Sequence, residues 1–190
     1  DAAFLAEVAG TLGVEDHAAV QRERFTQWVL QRFDLPGGPD LAAAGVTLTD
    51  DVQGYEQAKL RILNGAHSSL AYIGLALGHE TVFQAVSDPA LGGFADRLMH
   101  QDIAGSLKPV EGLDLQAYAD AVLDRFRNPA IRHLLSQIAW DGSQKLPYRL
   151  LDAVGDRLAT GGDVARLAVP VAAWITFLRR KALAGEAITD

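Results

Sequence analysis

Three polar side chains interrupt a largely apolar stretch that is patterned like a helix: Lys59, Asn64 and His67. In an α-helix, which turns about 100° per residue, Asn64 would lie roughly 140° and His67 roughly 80° around the axis from Lys59. The three side chains would therefore share one broad face. Because polar groups on a packed face must be satisfied or kept for chemistry, an amine, a carboxamide and an imidazole there could handle a hydroxyl group and its proton.

Each of these three residues also has an ordinary structural interpretation. A lysine with its usual pKa of about 10.4 is protonated at neutral pH, so a base at position 59 needs a pKa about 2–3 units lower, which burial can produce. The alternative is a surface lysine with its amine in water. Asn64 could donate to a developing alkoxide or simply bond to a neighbouring helix, and His67 could bind a substrate oxygen or be a satisfied core histidine.

A second polar cluster occupies residues 125–149 and is dense in groups that hydrogen-bond polyhydroxylated ligands. Helix N-termini predicted near Pro129 and Ser143 would add free backbone amides, which suit anions. Asn128 is also a good helix cap, and the arginines of this cluster could equally form a solvated face. These arginines are Arg125, Arg127 and Arg132.

The composition limits the class of protein. The 190 residues are 49% hydrophobic and 22% charged, as expected of a soluble globular domain with a real core. The net charge of −7 disfavours nucleic-acid binding, and with it a helical DNA-binding regulator. The absence of cysteine excludes disulfides and thiolate zinc sites, and it fits a reducing, cytoplasmic setting. The histidines lack metal-ligand spacing, so no metal is expected.

Helix caps and breakers predict an all-α, bundle-like domain with little or no sheet. No apolar run approaches the roughly 20 residues of a membrane helix, so no membrane partner is expected. The spaced glycines of a dinucleotide-binding fingerprint are missing. The predicted helices cover residues 2–12, 17–33, 51–77, 114–126, 129–139, 147–160 and 164–183, with a further helix starting at Pro89. Asp50 or Asp51 would cap the helix over residues 51–77 and Gly78 would end it, while Asp88 and Asp114 mark the starts of two later helices.

Both polar clusters resemble the C-terminal domain of the polyol-specific long-chain dehydrogenase family, which includes mannitol 2-dehydrogenases and fructuronate reductases (D-mannonate oxidoreductases). The resemblance covers most of the chain from about residue 20 to about residue 150. It is carried by residues 23–28, 44–46, 59–72, 88–89 and 126–149.

The resemblance implies a two-domain enzyme whose N-terminal Rossmann domain, the binding partner for NAD or NADP, is absent from this chain. Residues 1–20 would be the tail of that domain or a linker helix, and residues 21–190 the helical substrate-binding domain. Lys59 would take the hydroxyl proton while hydride leaves for the cofactor, with Asn64 and His67 orienting the oxygen. No metal would be required, and this chain alone would be inactive.

The implied substrate is a small sugar alcohol or a hexuronate. Mannitol-type members of the family carry arginine where this chain has Gln137, and the residues that follow look more like the uronate-reducing branch. A uronate carboxylate needs a cation, which Arg61, Lys145 or Arg149 could supply, and Lys145 matches a family lysine associated with substrate contacts. The competing hypothesis is an all-helical interaction module without catalytic activity, favoured if no concave pocket contains Lys59.

Overall fold

A computed structural model describes residues 2–20, 22–23, 25–34 and 36–188. The chain divides into two compact units, Asp1–Leu48 and Thr49–Asp190. The all-α prediction is confirmed, with 62% helix and 5% strand. The assignment of residues 1–20 to a separate cofactor domain stays a prediction.

The first unit contains one helix and most of a small sheet. Helix α1 (Ala2–Leu12) ends at Gly13, whose φ of 72° is the left-handed conformation typical of a helix stop. Strand β1 (Val29–Gln31) pairs with β2 (Thr47–Thr49), whose last residue is assigned to the second unit. This pairing accounts for the small strand content.

The predicted helix over residues 17–33 is wrong. The described residues of that segment form turns, extended chain and β1, while Gln21 and Arg24 lie outside the described residues. Helices in proteins draw most of their stability from packing an apolar face. Phe25, Trp28 and Phe33 are exposed in the observed arrangement, so the large apolar side chains of this segment do not form a packed helical face.

The second unit is built on a continuous helical rod in three segments: α2 (Val52–Ala58), the π-helical segment π1 (Lys59–Gly65) and α3 (Ala66–Leu77). The Asp51 carboxylate accepts a hydrogen bond from the Gly54 amide and caps the rod. Gly78, with φ 87°, ends it. Both the cap and the stop were predicted from the sequence, whereas the π-helical segment was not.

The remaining elements surround this rod. They are α4 (Val82–Ser87), α5 (Pro89–Arg97), π2 (Leu98–Ile103), a 3₁₀ turn (Ala104–Ser106), α6 (Leu115–Phe126), α7 (Leu135–Ile138), α8 (Gly142–Leu146), π3 (Pro147–Leu151), α9 (Asp152–Ala159) and α10 (Ala165–Ala184). Helix α3 lies at the centre and contacts α10, α7, α4 and α5, while π1 packs on π3. Among the described residues, no helix is both long enough and apolar enough to cross a membrane.

The helix predicted over residues 129–139 forms only in its last part, as α7 (Leu135–Ile138). The Asn128 side chain accepts a hydrogen bond from the Ala130 amide, which closes a local turn instead of capping a helix. The chain then stays irregular until α7. Asparagine followed by proline suits a turn as well as a helix start, so the local signal was ambiguous.

The core is formed by side chains that converge from the rod and the surrounding helices. Ile62, Leu70, Leu98, Ile103 and Leu150 each have no exposed surface. Burial of each such side chain contributes about 1.5–3 kcal/mol. These contacts fix π1 against π2 and π3, and π1 carries two of the three polar residues singled out above.

Candidate functional site

Lys59 and Asn64 lie near opposite ends of π1 rather than in a regular α-helix. A π-helix closes its backbone hydrogen bonds on the fifth residue instead of the fourth. Because Lys59 and Asn64 are five residues apart, this winding brings Asn64 around the axis toward Lys59. The shared face is therefore narrower than the roughly 140° separation expected of an α-helix.

His67 lies in the first turn of α3, and aromatic contacts fix its ring. The imidazole stacks on Phe126 at the end of α6, with ring centroids 4.5 Å apart and an interplanar angle of 27°. The His133 ring meets it edge-on, with centroids 5.7 Å apart. Such pairs contribute about 0.5–1.5 kcal/mol each and restrict the orientation of the ring.

Exposure differs across the three residues. Lys59 is exposed, whereas Asn64 and His67 are half-buried. The described residues of this chain therefore do not bury the Lys59 amine. If Lys59 works as a neutral base, protein outside this chain must cover it.

Lys145 is held at the start of the helical run that leads to π3. Its ammonium group donates to the Trp140 carbonyl at 2.7 Å and lies 3.4 Å from an Asp141 carboxylate oxygen. Asp141 has φ 55°, a left-handed conformation that costs a non-glycine residue strain. Gln137 lies nearby in α7 and is exposed.

Arg149 contacts the helix that bears His67. Its Nη1 donates to the Ser68 hydroxyl at 3.1 Å, and its Cζ lies 6.0 Å from the centroid of the Tyr148 ring. Ser68 is buried and follows His67 directly. The structure therefore connects two sequence-predicted site residues through a serine that the sequence did not single out.

Arg61 is placed differently from the other predicted site residues. Its side chain is buried, and Nη1 lies 2.6 Å from an Asp156 carboxylate oxygen. The same nitrogen reaches the hydroxyl and carbonyl oxygens of Ser106 at 3.3 and 3.4 Å. A substrate carboxylate would have to compete with Asp156, so the substrate-binding role of Arg61 stays a prediction that this geometry does not support.

Ser68 and Phe126 are the residues that sequence reasoning missed. Phe126 is the last residue of a predicted helix, and the sequence assigned it no role in the site. Its contact with His67 joins α6 to α3 and has no local signal. Within the described part of the chain, no group of three or more histidine or acidic side chains is arranged to hold a metal ion.

Comparison with known families matches residues 51–190 to the family described as mannitol dehydrogenase C-terminal domain. The D-mannonate oxidoreductase of Escherichia coli K12 is 45% identical over 184 residues, which cover 97% of this chain and 38% of that protein. The uncharacterized oxidoreductase YdfI of the same organism is 44% identical over 174 residues, which cover 92% of this chain and 36% of that protein.

Solved structures show the same relationship. A D-sorbitol dehydrogenase in substrate-free form has a TM-score of 0.87 and 31% identity, over 94% of this chain and 37% of that one. The ternary complex of Pseudomonas fluorescens mannitol 2-dehydrogenase with NAD and D-mannitol has a TM-score of 0.79 and 35% identity, over 94% of this chain and 36% of that one. This chain therefore spans a little over a third of the length of these relatives.

Proposed function

We propose, from the premise that this chain belongs to the mannitol dehydrogenase C-terminal domain family, that the whole protein interconverts a sugar alcohol or aldonate with its ketose or keto-uronate. The family members are oxidoreductases. Because the chain spans a little over a third of its relatives, the activity is proposed for the full-length protein. The observation that carries the proposal is the face of π1 and α3 that presents Lys59, Asn64 and His67.

The three residues of this face have distinct roles in the proposed reaction. In the oxidation, the neutral Lys59 amine takes the proton from the reacting hydroxyl group. The Asn64 carboxamide donates a hydrogen bond to that oxygen and stabilises its developing negative charge, while His67 orients it. In the reduction, Lys59 as an ammonium group returns the proton to the carbonyl oxygen.

A nicotinamide cofactor, NAD or NADP, supplies the hydride acceptor or donor when it is bound. The described residues offer no strand, glycine-rich turn and helix to hold its pyrophosphate. The described residues do fit the nicotinamide end of the cofactor, because Lys59 and its neighbours form a polar face that another domain can cover. The proposed proton transfer uses no metal ion.

The second polar cluster supports a sugar acid or sugar alcohol as the substrate class. Lys145 presents a cation that two oxygens already orient, and Gln137 presents an exposed amide. Hydrogen-bonding groups of this kind suit hydroxyl and carboxylate oxygens. A relative at 45% identity is named D-mannonate oxidoreductase, which favours the acid over the neutral polyol.

Replacement of Lys59 by alanine in the full-length protein tests the proposal. General acid–base catalysis contributes about 10²–10⁴-fold, so kcat should fall by that factor. The limb of the pH–rate profile that reports the base should disappear with it. Lys108→Ala removes an exposed lysine from the loop after the 3₁₀ turn and serves as the control. Turnover close to that of the wild type in Lys59→Ala would remove Lys59 as the base.

The alternative of an interaction module without catalytic activity is not favoured. Family membership places the chain among dehydrogenases, and no observation on the described residues points to a self-complementary surface. A single function is therefore proposed.

A further inference from the structure

Gly65 is the point where the three π-helical segments meet. A methyl group added there would come within 2.7 Å of the Arg149 carbonyl oxygen in π3 and within 3.5 Å of Ile103 in π2. A backbone oxygen cannot move aside as a flexible side-chain end can. Only glycine therefore allows π3 to approach the end of π1 this closely.

Arg149 makes a second contact on the other side of His67. Its carbonyl oxygen faces Gly65, two residues before the histidine, and its guanidinium donates to Ser68, the residue after it. Gly65 and Ser68 are both buried, so neither contact is exchanged with solvent. One residue of π3 thus holds the junction of π1 and α3 at two points that flank His67.

The guanidinium of Arg149 is poorly placed to bind a carboxylate. Arginine binds carboxylates best through two parallel N–H bonds. The Nε of Arg149 is buried and has no hydrogen-bond partner among the described residues. A carboxylate therefore cannot reach the pair of N–H groups that includes Nε. Nη1 already donates to Ser68.

We propose that Arg149 is a positioning residue, which holds Asn64 and His67 in their reactive orientation through its contacts with Gly65 and Ser68, and that it is not a substrate ligand. This inference rests on the proposed function. It replaces the sequence-based expectation that Arg149 supplies the cation for a uronate.

Kinetics of the full-length protein separate the two roles. The variants are Arg149→Met and Ser68→Ala, which remove either side of the hydrogen bond. The substrates are D-mannonate and D-mannitol, each with NAD and with NADP. Since a misplacement of about 1 Å can cost on the order of 10²-fold, a positioning role predicts a fall in kcat of roughly 10–100-fold with KM nearly unchanged. A selective rise in KM for D-mannonate, with kcat retained, would overturn the proposal.

A spectroscopic readout keeps the test independent of the activity. In full-length protein labelled with ¹³C-histidine, the His67 ring resonance reports its stacking on Phe126. The resonance should shift in Arg149→Met and Ser68→Ala and stay in place in Arg179→Met, which removes an exposed arginine of α10.

The two readouts distinguish failure of this inference from failure of the proposed function. Wild-type protein that oxidises neither these substrates nor other sugar alcohols and aldonates, with NAD or with NADP, contradicts the proposed function, and the histidine resonance still decides whether Arg149 positions His67. An unshifted His67 resonance in both variants contradicts the positioning role, whether or not the kinetics change. The inference stands only if the resonance moves.

Discussion

Arg61 shows how a buried cation is stabilised beside an exposed one. Lys59, two residues earlier in π1, faces solvent, whereas the Arg61 guanidinium is enclosed and paired with Asp156. A buried charge is tolerated only when it is paired and hydrogen-bonded. Asp156 and the two oxygens of Ser106 meet that need, so Arg61 ties π1 to α9 and to the 3₁₀ turn.

Asp156→Asn should destabilise the fold because it leaves the Arg61 charge without its counterion. Hydrogen bonds to charged groups contribute about 1.5–3 kcal/mol, and the half-exposed position of Asp156 lowers the expected loss to about 1–2 kcal/mol. Urea unfolding measures the free energy of unfolding. Asp124→Asn, which breaks the exposed pair with Arg127, is the control, and it should cost less than about 1 kcal/mol. Equal losses in the two variants would contradict this account.

At the residue scale, sequence could supply candidates but not their surroundings. The types and spacing of Lys59, Asn64 and His67 were enough to select them. The sequence could not predict that Lys59 is exposed while Arg61 is buried and paired, since the pairing depends on a carboxylate 95 residues away from Arg61. The stacking partner of His67 is likewise set by tertiary packing.

At the element scale, helix starts with a local chemical cause were predictable. Asp51, Asp88 and Asp114 each cap the helix that the sequence assigned to them, because the cap is a contact within three residues. The segment over 17–33 and the π-helical winding of π1 were not predictable. Both depend on what packs against the segment, and the winding of π1 coincides with the close approach of π3 at Gly65.

The start of α8 offers a test of such close packing. A methyl group at Gly142 would collide with the Tyr72 hydroxyl and the Trp174 indole nitrogen, so Gly142→Ala should destabilise the protein by about 1–3 kcal/mol. Gly155, in α9, has open space around its α-carbon, so Gly155→Ala should stabilise by about 0.4–1 kcal/mol. Urea unfolding of both variants checks the opposite signs, and a loss of stability in Gly155→Ala would refute the packing argument.

The cap of α5 predicts a dependence of stability on pH. The Leu91 amide, which bonds to Asp88, holds the pKa of this carboxyl group below its ordinary value, and the Ala90 amide and nearby His79 act in the same direction. A carboxylate with a lowered folded-state pKa stabilises the fold above its unfolded pKa of about 3.9. That contribution is lost as the pH falls through the lower folded-state value.

Asp88→Asn keeps the cap geometry and removes the charge. The free energy of unfolding of wild type minus that of Asp88→Asn should be larger at pH 5 than at pH 3, because the difference shrinks as the pH falls below about 4. Urea unfolding over this pH range measures the difference. A difference that does not vary with pH would show that the charge of Asp88 contributes nothing to the cap.

At the scale of the whole molecule, the helical chain leaves the polar face with Lys59 open to solvent. The chain is a helical unit that carries polar groups on a surface, and its relatives are about two and a half times as long. Water reaches Lys59 in the described structure. Enclosure of the reacting groups is what makes electrostatic interactions strong and excludes side reactions, so the chemistry requires a cover that these residues do not form.

We therefore expect the 190-residue chain alone to be catalytically inactive. In the proposed reaction Lys59 accepts the proton and Asn64 and His67 bind the oxygen, but the reaction also needs a bound hydride acceptor and a site closed to water. The assay follows NADH formation with D-mannonate or D-mannitol, for the chain and for the full-length protein at equal concentration. Only the full-length protein should turn over, and its activity should be lost in Lys59→Ala. Turnover by the isolated chain at a comparable rate would mean that Lys59 works as a base while exposed to solvent. The reaction would then not require a covering domain.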